Sequence, residues 1–151
     1  YANAPSANYE SFTNLRILFK MQGGTKKEKI IYRDLSYKLM GIMYEVYNDL
    51  GYGYQEKIYQ KAIESALTKA EIKFKSQCPY KVKYKDEIVG RYFIDLIIEN
   101  KIVLEIKRGD HYSRNNFKQV IGYLKSTRLK LAILVNFTSS GIKYKRVLNI
   151  N

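Results

Sequence analysis

Three charged residues sit where apolar ones belong. Asp95 interrupts Phe93-Ile94-Asp95-Leu96-Ile97-Ile98, and Glu105 and Lys107 interrupt and close Ile102-Val103-Leu104-Glu105-Ile106-Lys107. An unpaired carboxylate inside an apolar strand is either protonated or strongly destabilising, so each acid needs a compensating group. The triplet acid-any-lysine occurs three times, as Glu71 with Lys73, Glu99 with Lys101 and Glu105 with Lys107. The first falls at a helix end and the second in a turn, where charges are ordinary; only the third lies in an apolar run. Residues two apart share one face of a strand, so Glu105 and Lys107 project together. Whether Asp95 joins them depends on the hairpin between the two runs. A two-residue loop Asn100-Lys101 pairs Asp95 with Ile106, on the wrong face, whereas a three-residue loop Glu99-Asn100-Lys101 pairs it with Glu105. The odd loop needs a left-handed residue, which Asn100 tolerates better than most, so that loop or an equivalent bulge is expected. Two carboxylates about 5 Å apart across a strand pair then repel. A hard divalent cation with oxygen ligands at ~2.1 Å relieves the repulsion. Such an ion polarises a phosphate oxygen and lowers the pKa of a bound water, while Lys107 orients that water or stabilises the developing charge. The competing reading is a closed ion-pair cluster in which Lys107 or a buried arginine neutralises both acids.

The elements that must position these residues are legible from periodicity. From Asp34, a candidate cap, Leu35, Leu39, Ile42, Met43, Val46 and Leu50 recur at helical spacing up to Gly51, a candidate terminator. A second helix carries Ile58, Tyr59, Ala62, Ile63, Ala66 and Leu67 on one side and ends near Ala70. The period then becomes two: Tyr80, Val82 and Tyr84 alternate with Lys81, Lys83 and Lys85, as in an edge strand, before a turn around Asp86-Glu87. The runs 92–98 and 102–106 read as strands covered on both faces and form a central hairpin. Phe117, Val120, Ile121 and Leu124 mark a third helix, 131–137 a further apolar strand, and 142–148 a terminal alternating one. The expected fold class is therefore α/β (α+β), in the order α-α-β-β-β-α-β-β.

Composition bounds the function. The 151 residues suffice for one domain with a real core, and 27 Lys and Arg against 14 Asp and Glu give a net charge of +13 and a strong prior for polyanionic partners. Fifteen tyrosines without tryptophan can stack on bases, although many must fill the core. No apolar run approaches the ~20 residues that span a bilayer, so no membrane is expected. A single cysteine, Cys78, excludes an internal disulfide and a cysteine-based zinc site and suggests a reducing, cytoplasmic setting. Residues 1–30 lack periodicity and contain Pro5, Gly23-Gly24 and the basic Lys26, Lys27 and Lys29, so they read as a flexible basic arm or an appended, non-native segment before a single domain over 31–151. His111 in a polar loop, Ser139-Ser140-Gly141 and the pair Gly51 and Gly53 give no case for zinc, serine or nucleotide-hydrolase chemistry.

Asp95, nine residues, then Glu105-Ile106-Lys107, preceded by a helical glutamate, resembles the PD-(D/E)XK nuclease superfamily, with its restriction-endonuclease-like mixed sheet flanked by helices. Gly53-Tyr54-Gln55-Glu56-Lys57-Ile58-Tyr59 is similar to the signature of its GxxExxY family. So are Val89-Gly90, Gln119-Val120-Ile121-Gly122-Tyr123-Leu124, and Leu134-Val135-Asn136-Phe137 followed by Lys145-Arg146. The resemblance covers about residues 35–147 and departs from the motif at Ile94, which stands in place of proline. It implies a Mg²⁺-dependent deoxyribonuclease, with Mn²⁺ as a substitute. Asp95 and Glu105 would be ligands, with the Ile106 carbonyl a third, and Lys107 the catalytic lysine. Glu56 would join the acid cluster directly or through water, or else simply favour a helix N-terminus. Gln119, Tyr123 and Tyr59 would position substrate, although Gln119 and Tyr123, four apart, equally suit a packing face. The implied partner is nucleic acid, foremost DNA, and a homodimer cutting both strands is compatible with it. The alternative function is a nucleic-acid-binding or protein-interaction module that keeps the fold without turnover.

Overall fold

The structure, a computed structural model, describes the backbone of residues 17–19 and residues 30–149 in full. The elements are β1 (Ile17–Phe19), α1 (Arg33–Leu50), α2 (Glu56–Lys69), β2 (Phe74–Tyr84), β3 (Glu87–Ile98), β4 (Ile102–Arg108), α3 (Arg114–Thr127), β5 (Leu131–Thr138) and β6 (Gly141–Asn149). The expected order α-α-β-β-β-α-β-β is found, preceded by the short β1, which pairs antiparallel with β6. The remainder of the expected arm lies outside the described residues. The sheet order is β1-β6-β5-β4-β3-β2. Only β4 and β5 are parallel, joined by the crossover helix α3, and the other neighbours are antiparallel. Among the described residues no helix is long and apolar enough to cross a membrane.

Two cores sandwich this mixed sheet. On one face Leu39, Met43 and Val46 of α1 and Tyr59, Ile63 and Leu67 of α2 meet Ile102, Leu104 and Ile106 of β4 and Ile133, Val135 and Phe137 of β5. On the other, Val120, Ile121, Tyr123 and Leu124 of α3 meet Val103, Ala132 and Leu134. Helices cover both faces of β4, β5 and β6, and all eight residues of the middle strand β5 are buried. Burial of that many aliphatic side chains, each contributing about 1.5–3 kcal/mol, holds the domain together.

Helix boundaries follow local chemistry with one shift. Gly51 ends α1 at φ 72°, its N–H donating to the Tyr47 carbonyl (2.7 Å). Asp34 lies inside the first turn rather than capping it, because Tyr32 already stands at the cap position, at φ 52° and without a side-chain cap bond. α2 ends where expected, with Ala70 at its C-cap.

The strands differ more. β2 begins at Phe74 and β3 at Glu87, both earlier than periodicity suggests, and the tip is Lys85-Asp86, with Lys85 at φ 52°. β3 is also not covered on both faces along its apolar run: Tyr92 and Phe93 are each about half exposed, whereas Ile94, Leu96 and Ile98 are buried. The cause is topological, since β4 pairs with β3 only at 96–98 and the outer hairpin projects past it.

The loop that sets the site follows the three-residue expectation. Leu96 pairs with Leu104, Ile97 with Val103 and Ile98 with Ile102, around Glu99-Asn100-Lys101. Both Glu99 (φ 51°) and Asn100 (φ 52°) are left-handed. Glu99 is pinned there by Lys73, whose N–H donates to its Oε1 (2.8 Å) and whose carbonyl accepts its N–H (2.9 Å). Asn100→Val, a β-branched residue in that conformation, should destabilise the domain by about 1–2 kcal/mol in urea unfolding, while Asn100→Gly should stay within about 0.5 kcal/mol of the parent.

Candidate active site

The next pair along the β3–β4 ladder would be Asp95 with Glu105, and there the ladder stops. Side chains replace the main-chain bonds: the Ile106 N–H donates to Asp95 Oδ2 (2.8 Å), and the Asp95 N–H donates to Glu105 Oε2 (3.4 Å). The pairing of β3 with β2 is interrupted at the same residue. Ser76 pairs with Leu96 and Cys78 with Ile94, but Gln77, opposite Asp95, turns to φ 50°. Its side chain bonds the Asp95 carboxylate and also donates to Gln60 Oε1 (2.9 Å), while Gln60 Nε2 reaches the Asp95 carbonyl (3.4 Å).

This double interruption reverses the faces of the hairpin. Before it, Phe74, Leu96 and Ile98 pack in the α1–α2 core; beyond it, Cys78, Tyr80 and Ile94 pack in the α3 core. Strict alternation would keep all of these even-numbered residues on one side. Asp95 thus stands at a seam open to both layers.

Glu105 is nearly sealed, 2 % exposed, with Lys107 Nζ 3.2 Å from its Oε1. Burial and the facing Asp95 raise its pKa to about 8, and the Lys107 amine offsets them only in part. The Asp95 pKa is raised too, chiefly by burial; the Ile106 N–H, Lys107 and Gln77 counter this, and the charge of Glu56 adds to it. The Ile106 carbonyl lies on the same strand edge as its N–H and so faces the gap toward β3.

Glu56 opens α2 and is exposed. It acts on Asp95 through its charge, but among the described residues no three His, Cys, Asp or Glu side chains are close enough together to hold an ion. The corner that presents it is held from two directions. Arg108 Nη1 reaches the carbonyls of Gly53 (3.4 Å) and Tyr54 (3.3 Å), and Gly53 at φ 114° adopts a backbone that side chains rarely take. Tyr59 is fully buried, stacked on Phe137 at 4.0 Å, and its hydroxyl donates to the Gly51 carbonyl (2.6 Å). The substrate contact expected of Tyr59 is therefore not available; it braces the glycine corner instead.

Gln119 and Tyr123 share a face of α3, as expected. Gln119 Nε2 donates to the Tyr123 hydroxyl (2.6 Å), which donates to the Phe93 carbonyl (3.3 Å). Tyr123 is fully buried, so it clamps β3 two residues before Asp95 and does not itself reach solvent; Gln119 remains partly exposed. Both acids raise the Tyr123 pKa further after burial.

Sequence reasoning assigned no role to three further residues. Gln60 and Gln77 grip Asp95 from an exposed helix turn and an edge strand, where an amide carries no signal. Asn136 aligns with Lys107 across the parallel β4–β5 ladder. It is 1 % exposed; its Nδ2 donates to the Gly109 carbonyl, and its Oδ1 has no partner. Its sequence signals are a lone amide in the apolar run 131–137 and its place in the block Leu134-Val135-Asn136-Phe137.

The PD-(D/E)XK nuclease superfamily profile matches residues 33–147, from the start of α1 into β6. The chain belongs to the PD-(D/E)XK nuclease superfamily. No curated protein and no solved structure matches it. Nucleases of this superfamily generally use divalent metals, and the donor set here suits one: two facing carboxylates and a carbonyl edge, all hard oxygens, with Glu56 adding negative charge and one amine opposing it. When bound, such an ion would lower the pKa of a water and polarise the phosphate.

Below about pH 4.5 Glu105 is neutral in both folded and unfolded chains and contributes nothing. As pH rises from there to about 8 the unfolded chain releases this proton more readily, so the metal-free fold loses stability, and above that the loss is complete. Glu105→Gln should therefore melt several degrees above the parent at pH 8 in chelator. The gain should shrink towards pH 5, as read by thermal unfolding at both.

Proposed function

We propose that this chain is a Mg²⁺-dependent deoxyribonuclease of the GxxExxY type, with Mn²⁺ able to substitute. The observation carrying this reading is the pair Asp95 and Glu105, opposed at the end of the β3–β4 ladder with Lys107 beside them. In this reading both acids hold the ion with the Ile106 carbonyl, and Glu56 joins through water, since it lies too far for direct three-acid ligation. The Lys107 amine holds the attacking water and stabilises the charge that develops as its oxygen bonds phosphorus and the ester oxygen leaves with a proton. Gln119, partly exposed and bonded to the Tyr123 hydroxyl on which both acids act, contacts the substrate in this reading.

Asp95→Asn and Lys107→Ala should each reduce Mg²⁺-dependent DNA cleavage by at least about 100-fold while DNA binding persists. Mg²⁺ should also raise the melting temperature of the parent chain and not that of Asp95→Asn. Cleavage unchanged in either variant refutes the assignment. Binding should weaken with salt at a log-log slope near −0.9 per phosphate contacted on duplex DNA.

A further inference from the structure

Beyond Asp95 the hairpin of β2 and β3 leaves β4 behind and projects as a two-stranded ribbon. One face is occupied: Tyr80 packs edge-on against Tyr123 (5.6 Å between centroids), against Gly122 and beside Tyr92. The other is open and consists of two directly opposed pairs, Pro79 with Phe93 and Lys81 with Arg91. Phe93 on this face is 52 % exposed. Two like charges facing each other across antiparallel strands repel, and neither Lys81 nor Arg91 has an acidic partner among the described residues. Such a pair is relieved by an anion set between the cations. An exposed phenyl ring, in turn, loses its contact with water when an aromatic plane stacks on it. Phe93 and Arg91 lie about 6.7 and 13 Å from Asp95 along β3, on the side of the hairpin away from α3, and the seam at Asp95 is open to that side too, where Gln60 of α2 reaches its carbonyl.

We propose that this face is a track for an unpaired nucleic-acid strand. Phe93 stacks on a base next to the phosphate that an ion on Asp95 and Glu105 would hold, and Lys81 with Arg91 grips a phosphate about 13 Å from Asp95, four residues along the strand. The occupant is an unpaired strand because bases inside a duplex are already stacked on both sides and offer Phe93 no free face. The inference rests on the nuclease reading and narrows its substrate to single strands, frayed ends and flaps.

The test compares a labelled short oligothymidylate with a hairpin duplex of equal charge, by fluorescence anisotropy of the full chain in chelator. Phe93→Ala, at a half-exposed site, should weaken oligothymidylate binding about tenfold and duplex binding less than about twofold. Phe93→Trp should restore it. Lys81→Glu and Arg91→Glu should weaken both ligands, each lowering the salt slope by roughly 0.7 on the single strand. Unchanged oligothymidylate binding by Phe93→Ala overturns the track, as does equal loss on both ligands. So does sedimentation showing that Phe93 instead holds two copies of the chain together. Mg²⁺-dependent cleavage by the parent is scored separately. Cleavage with the track variants still binding normally leaves the nuclease standing without the track, and selective loss of binding with no cleavage by the parent leaves the track without the nuclease.

Discussion

Two carboxylates set opposite one another on neighbouring strands, one of them almost out of contact with water, repel and resist ionisation together. Every irregularity around Asp95 and Glu105 answers to that constraint. The regular ladder ends at Leu96 with Leu104, one pair short of these residues. With the ladder released, the Ile106 and Asp95 amides turn onto the two carboxylates, and Lys107 takes the remaining side of Glu105. These donors hold the acids without neutralising them. One amine and a few amides oppose two carboxylates, with the charge of Glu56 adding to theirs, and that imbalance is what the proposed divalent ion would relieve.

The bracing of the site is unequal in a way that suits this. Glu105 and Lys107 ride on β4, which is paired on one side with β5 along its whole length and lies between two helix layers. Asp95 rides on β3 at a point where neither neighbouring strand holds its backbone. Its position is set by longer levers: the Tyr123 hydroxyl on the Phe93 carbonyl, the Gln60 amide on its own carbonyl, and Gln77 on its carboxylate. One acid is fixed by the core and the other by side chains reaching in from both layers.

Much of this was legible because charge inside an apolar run has few explanations. Asp95, Glu105 and Lys107 stood out for that reason, and loop length then selected the register that joins them. Asn136 carried the same kind of signal, one amide in a wholly buried strand. The face reversal at Gln77 was not legible. It depends on a left-handed backbone at a residue type with no preference for it, and the only local trace is a change in which even-numbered residues are buried. Tyr92-Phe93 read as core because periodicity reports hydrophobicity and not how far a neighbouring strand extends. Tyr59 fell in a motif beside Glu56, and only the packing against Phe137 shows that it serves the corner and not the surface.

The energetic load of the site falls on the part of the fold best able to carry it. A buried, half-compensated glutamate and a buried amide oxygen without a partner each oppose folding by an amount comparable to a sizeable share of a small domain's net stability. Both lie on the parallel pair β4 and β5, Glu105 midway along β4 and Asn136 near the carboxyl end of β5, where Leu104, Ile106, Leu134, Val135 and Phe137 are all fully buried around them. Placed on β2, an edge strand with most of its residues exposed, the same groups would be solvated, and their pKa values would return toward ordinary carboxylates. The raised pKa values of the acids thus derive from the depth of the core beneath them, and that core can bear the loss because it is covered by helices on both faces.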